Sequence, residues 1–340
     1  MDGMTWYRCF LMFVLVSGVW CGGVFAAHGA PPQHRWRIAF LAAGAQNGYN
    51  QSVWNGILAA AARAGNVDVR LFDGGFDSTL QYNQVEDVVA SHHYDGIILF
   101  PNDTVSIASA VAEAAALGMP TVALNFPIGP DLEQITPQAR GVVSTVATAP
   151  AVMARRQAED VGLHCRARPV CNILLLIGQK VYPFDQLRYR VYRQTLASFP
   201  NVRIVATIEG QYDAGTAMNG VLDRLQVDRH IDAVLSTADI QTIGAEMAFK
   251  SYGIDPAGLY LSSAGGSGIG VRAVREGRWA VTYGTLTRSM GEAALDAIVG
   301  AVSGRKIPPV IDADSLSPLP PLWTRDILLA HPAFQAQWAG

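Results

Sequence analysis

RIAFLAAGAQNGYNQSVW, residues 37–54, reads as a buried strand, a polar turn and a helix. The almost unbroken apolar run over 37–41 suits a strand covered by helices on both faces, as in a parallel sheet. A helix follows over 52–64 and is closed by Gly65, the residue that most readily adopts the left-handed helix end. Between them lies a glycine-bearing turn with Gln46, Asn47, Tyr49 and Asn50. Small molecules settle outside the carboxyl ends of strands in open α/β sheets, so Gln46, Asn47 and Tyr49 stand where a ligand would be held.

Outward from this stretch, strand and helix alternate. Strands are predicted over 68–72, 97–100 and 121–124, with helices over 79–91 and 106–116 between them. Residues 127–148 break the rhythm with Pro127, Pro130 and Pro137, and are expected to cross between two halves near residue 143. The alternation then restarts, with strands over 172–177, 202–208, 233–236, 259–262 and 279–283, and a returning helix over 286–304 after a second crossing near 285. This spacing predicts an α/β protein of doubly wound parallel sheets. It divides the chain into a first lobe (36–142 plus 286–311), a second lobe (143–285 plus 312–327) and a tail over 328–340.

Half of the 340 residues are hydrophobic, 16% are charged and the formal net charge is −3. That is enough for one large or two medium domains with ample core. Lys and Arg form no run, and a polyanion-binding surface needs a basic stripe, so no nucleic-acid partner is expected. Residues 1–30 carry an apolar core over 9–20 and small residues at Val24 and Ala26, as a cleaved export signal requires. A membrane anchor over 4–27 is the alternative reading. Cleavage leaves Cys165 and Cys171, which flank RARPV; in an oxidising compartment they read as a small bridged loop, the alternative being two free thiols lying close together.

Catalytic motifs are incomplete. Gly265-Gly266-Ser267-Gly268 begins a nucleophile elbow, but Ile269 stands where the closing glycine belongs. Residues 268–273 fit GxGxxA, yet they come late in the chain with no acidic residue at the end of a following strand, and are read as a flexible loop at the cleft. His92-His93 reads as a solvated helix end. Neither enzyme activity, cofactor nor metal is expected.

The strand ends bring together Gln46, Asn47, Tyr49, Phe100, Asn125, Phe126, residues 180–188 including Arg188, Tyr212, Ala238, Asp239 and Ala264. Recurring aromatics with a few amides, one acid and one arginine suit a flat ligand held between rings. Phe100 and Phe126 read equally well as core.

In RIAFLAAGAQNGYNQSVWNGI, YDGIILFPNDT, GMPTVALNF, LRYRVYRQTL and IDAVLSTADIQTIGA the chain resembles the periplasmic sugar-binding proteins of the ribose-binding type, over residues 37–311. The resemblance implies the type I periplasmic binding protein fold: two Rossmann-like lobes, joined by a hinge, that close on a small ligand. It further implies a periplasmic monomer without enzyme activity that delivers its ligand to an inner-membrane ABC permease, or in an alternative role presents it to a membrane receptor kinase. Asn47, Tyr49, Arg188, Tyr212 and Asp239 match ligand-binding positions of the family. Asn125-Phe126 replaces the family's Asp-Arg pair, and Phe100, Ala238, Ala264 and Thr285 replace further polar groups. Sugar hydroxyls are gripped through charged, often bidentate partners, so these departures imply a sugar derivative or a less polar ligand in place of free ribose.

Overall fold

The computed structural model describes residues 34–340. The export signal expected over 1–30 lies outside the described residues. Twelve strands run in chain order as β1 (Trp36–Ala42), β2 (Val67–Asp73), β3 (Gly96–Leu99), β4 (Thr121–Leu124), β5 (Val142–Ala147), β6 (Cys171–Ile177), β7 (Val202–Glu209), β8 (Ala233–Ser236), β9 (Tyr260–Ala264), β10 (Val281–Tyr283), β11 (Val310–Asp312) and β12 (Leu322–Thr324). Among the described residues ten α-helices connect or follow them: α1 (Gly48–Ala64), α2 (Ser78–Ser91), α3 (Ala108–Ala116), α4 (Pro150–Cys165), α5 (Pro183–Leu196), α6 (Ala214–Val227), α7 (Asp239–Ser251), α8 (Gly268–Arg275), α9 (Thr287–Val302) and α10 (Arg325–Ala330).

The strands form two six-stranded sheets, in the orders β11-β5-β4-β3-β1-β2 and β12-β10-β9-β8-β6-β7. Every pairing is parallel except that of β12 with β10. This is the two-sheet α/β architecture read from the alternation. Central strands β3, β4 and β8 are wholly buried, because helices cover both faces. The edge strands β2 and β7 are only partly buried and carry the charged residues Asp68, Arg70, Arg203 and Glu209, which discourage edge-to-edge pairing.

Helix α1 begins at Gly48, four residues earlier than the sequence suggests, because Asn47 caps it: the Asn47 Oδ1 accepts from the Asn50 backbone N–H at 2.8 Å. Asp77, Asp213 and Ser267 cap α2, α6 and α8 in the same way. These helices therefore all start at the carboxyl ends of their strands. Helix α9 returns to the first sheet and packs directly on α1. A Cβ at Gly56 would come within 2.0 Å of the Arg288 carbonyl oxygen, and one at Gly291 within 2.1 Å of that of Val53, so both glycines are needed for this close approach.

The first crossing falls later than the expected residue 143. Strand β5 stays in the first sheet, hydrogen-bonded between β4 and β11. The proline-bearing loop before it interrupts the rhythm without leaving the sheet, and the apolar run 142–147 fills the open flank of β4. The chain changes sheets between β5 and α4, between β10 and α9, and between β11 and β12. The crossings meet at Asp314: Oδ1 accepts from Thr148 Oγ1 at 2.8 Å, and Oδ2 accepts from Arg156 Nη1 at 2.6 Å and the Tyr283 hydroxyl at 2.7 Å. Cys165, at the end of α4, and Cys171, at the start of β6, form a disulfide with their Cα atoms 5.7 Å apart.

The glycine cluster after β9 is not wholly a loop. Gly268 and Gly270 lie in the first turn of α8, whose Gly268 and Ile269 amides donate to the carbonyls of Trp338 and Ala339 at 2.7 and 2.9 Å. His92 closes α2 in the left-handed conformation (φ 51°).

Candidate ligand-binding site

A cavity of about 400 Å³ lies between the carboxyl ends of the two sheets, within the range of small-molecule sites. The first sheet and its loops contribute Gln46, Asn47, Tyr49, Phe76, Phe100, Asn125 and Phe126; the second contributes Tyr182, Phe184, Arg188, Tyr212, Ala238 and Ala264. Eight of the predicted site residues, Gln46, Asn47, Tyr49, Phe100, Asn125, Phe126, Arg188 and Tyr212, thus face one space. The ninth, Asp239, is not on the lining. Asp239 is fully buried behind this wall, where Oδ1 accepts from Ser263 Oγ (2.6 Å) and Thr282 Oγ1 (2.8 Å), and Oδ2 from the Ser267 N–H (2.7 Å). Its acceptor capacity is used within the second sheet's own scaffold. Burial raises its pKa, and these donors only partly offset the rise.

Aromatic rings dominate the walls. Phe126 from the first side stacks on Phe184 from the second, with centroids 3.9 Å apart and planes 15° from parallel. Phe100 meets Phe126 edge-on at 6.0 Å, and Phe76 stacks with Tyr212 at 6.4 Å. Phe126 is only 8% exposed, so it is both core and cavity wall. The two readings of this ring from the sequence are not alternatives.

Most polar groups on the first side are engaged within the protein. The Tyr49 hydroxyl donates to Asn125 Oδ1 at 2.6 Å, and burial pushes its pKa up. Asn47 is occupied as a helix cap, and Gln46 Nε2 donates to Asp73 at the rim at 3.2 Å. Buried Asn102 supports the turn from behind by donating through Nδ2 to the Ala43 carbonyl at 3.0 Å.

On the second side the polar groups form one buried network. Arg188 Nη2 donates to Asp185 Oδ1 and contacts the Tyr212 hydroxyl, while that hydroxyl lies 2.8 and 2.9 Å from the two Asp185 oxygens. Asp185 Oδ2 also accepts from the Gln179 N–H at 2.8 Å. Burial works against the Arg188 charge, but Tyr212 and Asp185 outweigh it and hold the guanidinium protonated. Arg188 Nε is buried and makes no hydrogen bond within the protein. The guanidinium carbon lies 5.6 and 5.8 Å from the Phe184 and Phe126 ring centres, within cation–π range. Gly178 makes the network possible, since a Cβ there would lie 2.2 Å from Asp185 Oδ2 and 2.5 Å from the Tyr212 ring.

Backbone strain concentrates here. Among the described residues, five other than glycine have positive φ, and three of them, Phe76 (57°), Asn125 (69°) and Tyr212 (56°), line the cavity. Asparagine tolerates this conformation, whereas each aromatic residue there costs about 1–3 kcal/mol that the surrounding packing must offset.

The sequence reading missed Phe76, Met153, Ile240 and Trp338 on the walls. Phe76 follows β2 in the DGGFDS turn, a strand-end position that the rule used for Asn47 would have found. Trp338 has no such signal; it arrives from a segment far along the chain.

Two parallel α/β sheets joined by three crossings, with an aromatic cavity between their strand ends, define a two-lobed small-molecule binding protein. Residues 38–306 match the periplasmic binding protein domain, and the chain belongs to that family. It is 26% identical over 242 residues to a xylitol-binding protein of Mycolicibacterium smegmatis, an alignment covering 70% of this chain and 65% of the relative. Similar solved structures include a solute-binding protein of Bacillus halodurans with bound myo-inositol (TM-score 0.76, 19% identity, covering 88% of this chain and 98% of that one). Another is a solute-binding protein of Actinobacillus succinogenes with bound D-allose (TM-score 0.75, 19% identity, 87% and 100%). A third is the arabinose-transporter component of Shewanella sp. bound to L-arabinofuranose (TM-score 0.73, 22% identity, 87% and 94%). At these identities the structural likeness speaks for the fold. The family and these neighbours are binding proteins, not enzymes.

Proposed function

We propose that this protein captures a neutral, sugar-like ligand, or a less polar derivative of one, between its two sheets and delivers it in the periplasm, as a monomer, to an ABC permease. Each sheet with its helices acts as a lobe, and ligand binding selects the closed arrangement. One observation carries the reading: the cavity is walled by rings from both lobes, and Arg188, the one cation among the described residues that line it, is already balanced by buried Asp185. An anionic ligand would meet no free counter-charge there, and the one carboxylate on the lining, Asp213, is engaged in capping α6 through the Thr216 N–H and hydroxyl. A compact molecule with apolar faces and hydroxyls along one edge would stack between the rings and bond to the Arg188–Tyr212 edge. The sugars and polyols bound by the relatives support this class, while the loss of the family's Asp-Arg pair at Asn125-Phe126 favours members with fewer hydroxyls.

The test is native mass spectrometry of protein exported to the periplasm, followed by calorimetric titration of the recovered compound. Recovery of a deoxy, alkylated or otherwise hydroxyl-poor sugar-like compound is expected. Tight binding of a simple aldopentose or aldohexose would overturn the less polar assignment.

A further inference from the structure

We propose that residues 334–340 form a strap that closes the cleft, and that Trp338 on this strap is a specificity-determining wall of the ligand site. The inference rests on the cavity being that site. The segment is tied to the second lobe: the Trp338 and Ala339 carbonyls accept from the first amides of α8, the Trp338 indole N–H donates to the Gly265 carbonyl at 2.9 Å, and Phe334 packs edge-on against buried Trp323 at 4.7 Å. It is tied equally to the first lobe. Ser52 Oγ on α1 donates to the Gln337 carbonyl at 2.7 Å, and the Gln337 side chain exchanges two hydrogen bonds with Ser289 on α9, at 2.8 and 3.0 Å.

Trp338 sits between the lobes. Its ring meets Tyr49 edge-on at 5.5 Å on one side. A Cβ at Gly48 on the first lobe would touch it in ordinary contact at 3.4 Å, whereas one at Gly265 on the second would come within 3.0 Å, so the absence of a side chain at Gly265 makes room for the indole. The lobes cannot separate without breaking one of these two sets of bonds. Opening for ligand entry therefore requires the strap to detach from one lobe, and the indole fills wall space that a bulkier or more hydroxylated ligand would need.

Interlobe distance tests this without any ligand. Spin labels on ketone-bearing amino acids at exposed Thr136 and Gln194, on either side of the Glu133–Arg190 contact that spans the mouth, are compared by pulsed dipolar spectroscopy. The samples are the full chain, a chain cut after Ala333, and the full chain carrying Gln337→Ala with Trp338→Ala. The full chain is expected to show one dominant short distance. Both altered proteins, with unchanged far-ultraviolet circular dichroism, are expected to shift toward longer and broader distances, and the peptide FQAQWAG added to the cut chain to restore the short one. Distributions in both altered proteins that match the full chain would overturn the strap, whatever ligand mass spectrometry recovers. A shift in these distances with no sugar-like ligand recovered would leave the strap standing and remove the proposed function.

Discussion

Arg188 and Asp185 offer the sharpest test of the site, because they connect affinity to stability. Their side chains are 5% and 0% exposed. Arg188→Met keeps much of the side-chain volume but leaves the Asp185 carboxylate buried with only the Tyr212 hydroxyl and the Gln179 amide. Breaking a buried pair from one side costs about 3–5 kcal/mol, or roughly 6–20 °C in melting temperature at the scaling for domains of this size. Removing both charges as Asp185→Leu/Arg188→Met avoids the stranded charge. The double variant is expected to recover at least about 2 kcal/mol relative to the sum of the single losses. Urea unfolding of the four proteins gives the cycle. A double variant whose loss equals that sum would refute the buried-pair account. The affinity arm is separate: Arg188→Met is expected to weaken binding of the recovered ligand by about 10- to 150-fold, the range for a charged hydrogen bond. Unchanged affinity would remove Arg188 from the site.

Phe126→Ala is expected to lower affinity by about 2- to 12-fold through lost stacking, seen by titration calorimetry; a fall in stability alone would make the ring a core plug. Gly178→Ala places a methyl against Asp185 and Tyr212 and is expected to cost about 1–3 kcal/mol of stability in urea titrations, with affinity falling alongside. Glu246 is buried; burial raises its pKa, but Lys250, Trp279 and Arg278 more than reverse this and hold it below the ordinary 4.5. A depressed acid stabilises the fold above its unfolded pKa and loses that contribution as pH falls through the folded value. Stability should therefore drop on acidification below about 4.5, and Glu246→Gln should flatten that part of the curve; identical slopes would exclude Glu246 as a source.

The fold was legible because its signals are local. Parallel strands buried on both faces leave unbroken apolar runs such as 38–41 and 173–177, and each ends in a polar or glycine-bearing turn. Half of the cavity followed from the same logic, since Asn47, Tyr49, Asn125 and Tyr212 sit at strand ends whatever the tertiary detail. Asp239 also sits at a strand end, but it is the first residue of α7 and turns back toward Ser263 and Thr282, a choice set by neighbouring strands that periodicity does not encode. Strand β5 reads as part of the crossing because prolines break the alternation before it, and nothing local states that the first sheet has room for one more strand. Trp338 was invisible for a related reason: FQAQWAG has no periodicity, and its partners at Ser52, Gly265, Gly268 and Ser289 are far away in sequence.

The meeting of three chain crossings at Asp314 turns separate linkers into an axle. Were the crossings independent, each would contribute its own torsions, and the two halves could slide and twist as well as open. Anchored to one carboxylate through Thr148, Arg156 and Tyr283, they must turn together, so the relative motion reduces largely to a single angle. Less orientational freedom is then lost on capture, and more of the contact free energy is retained as affinity. An outside reader of the molecule also meets one variable, open or shut, in place of a continuum of shapes.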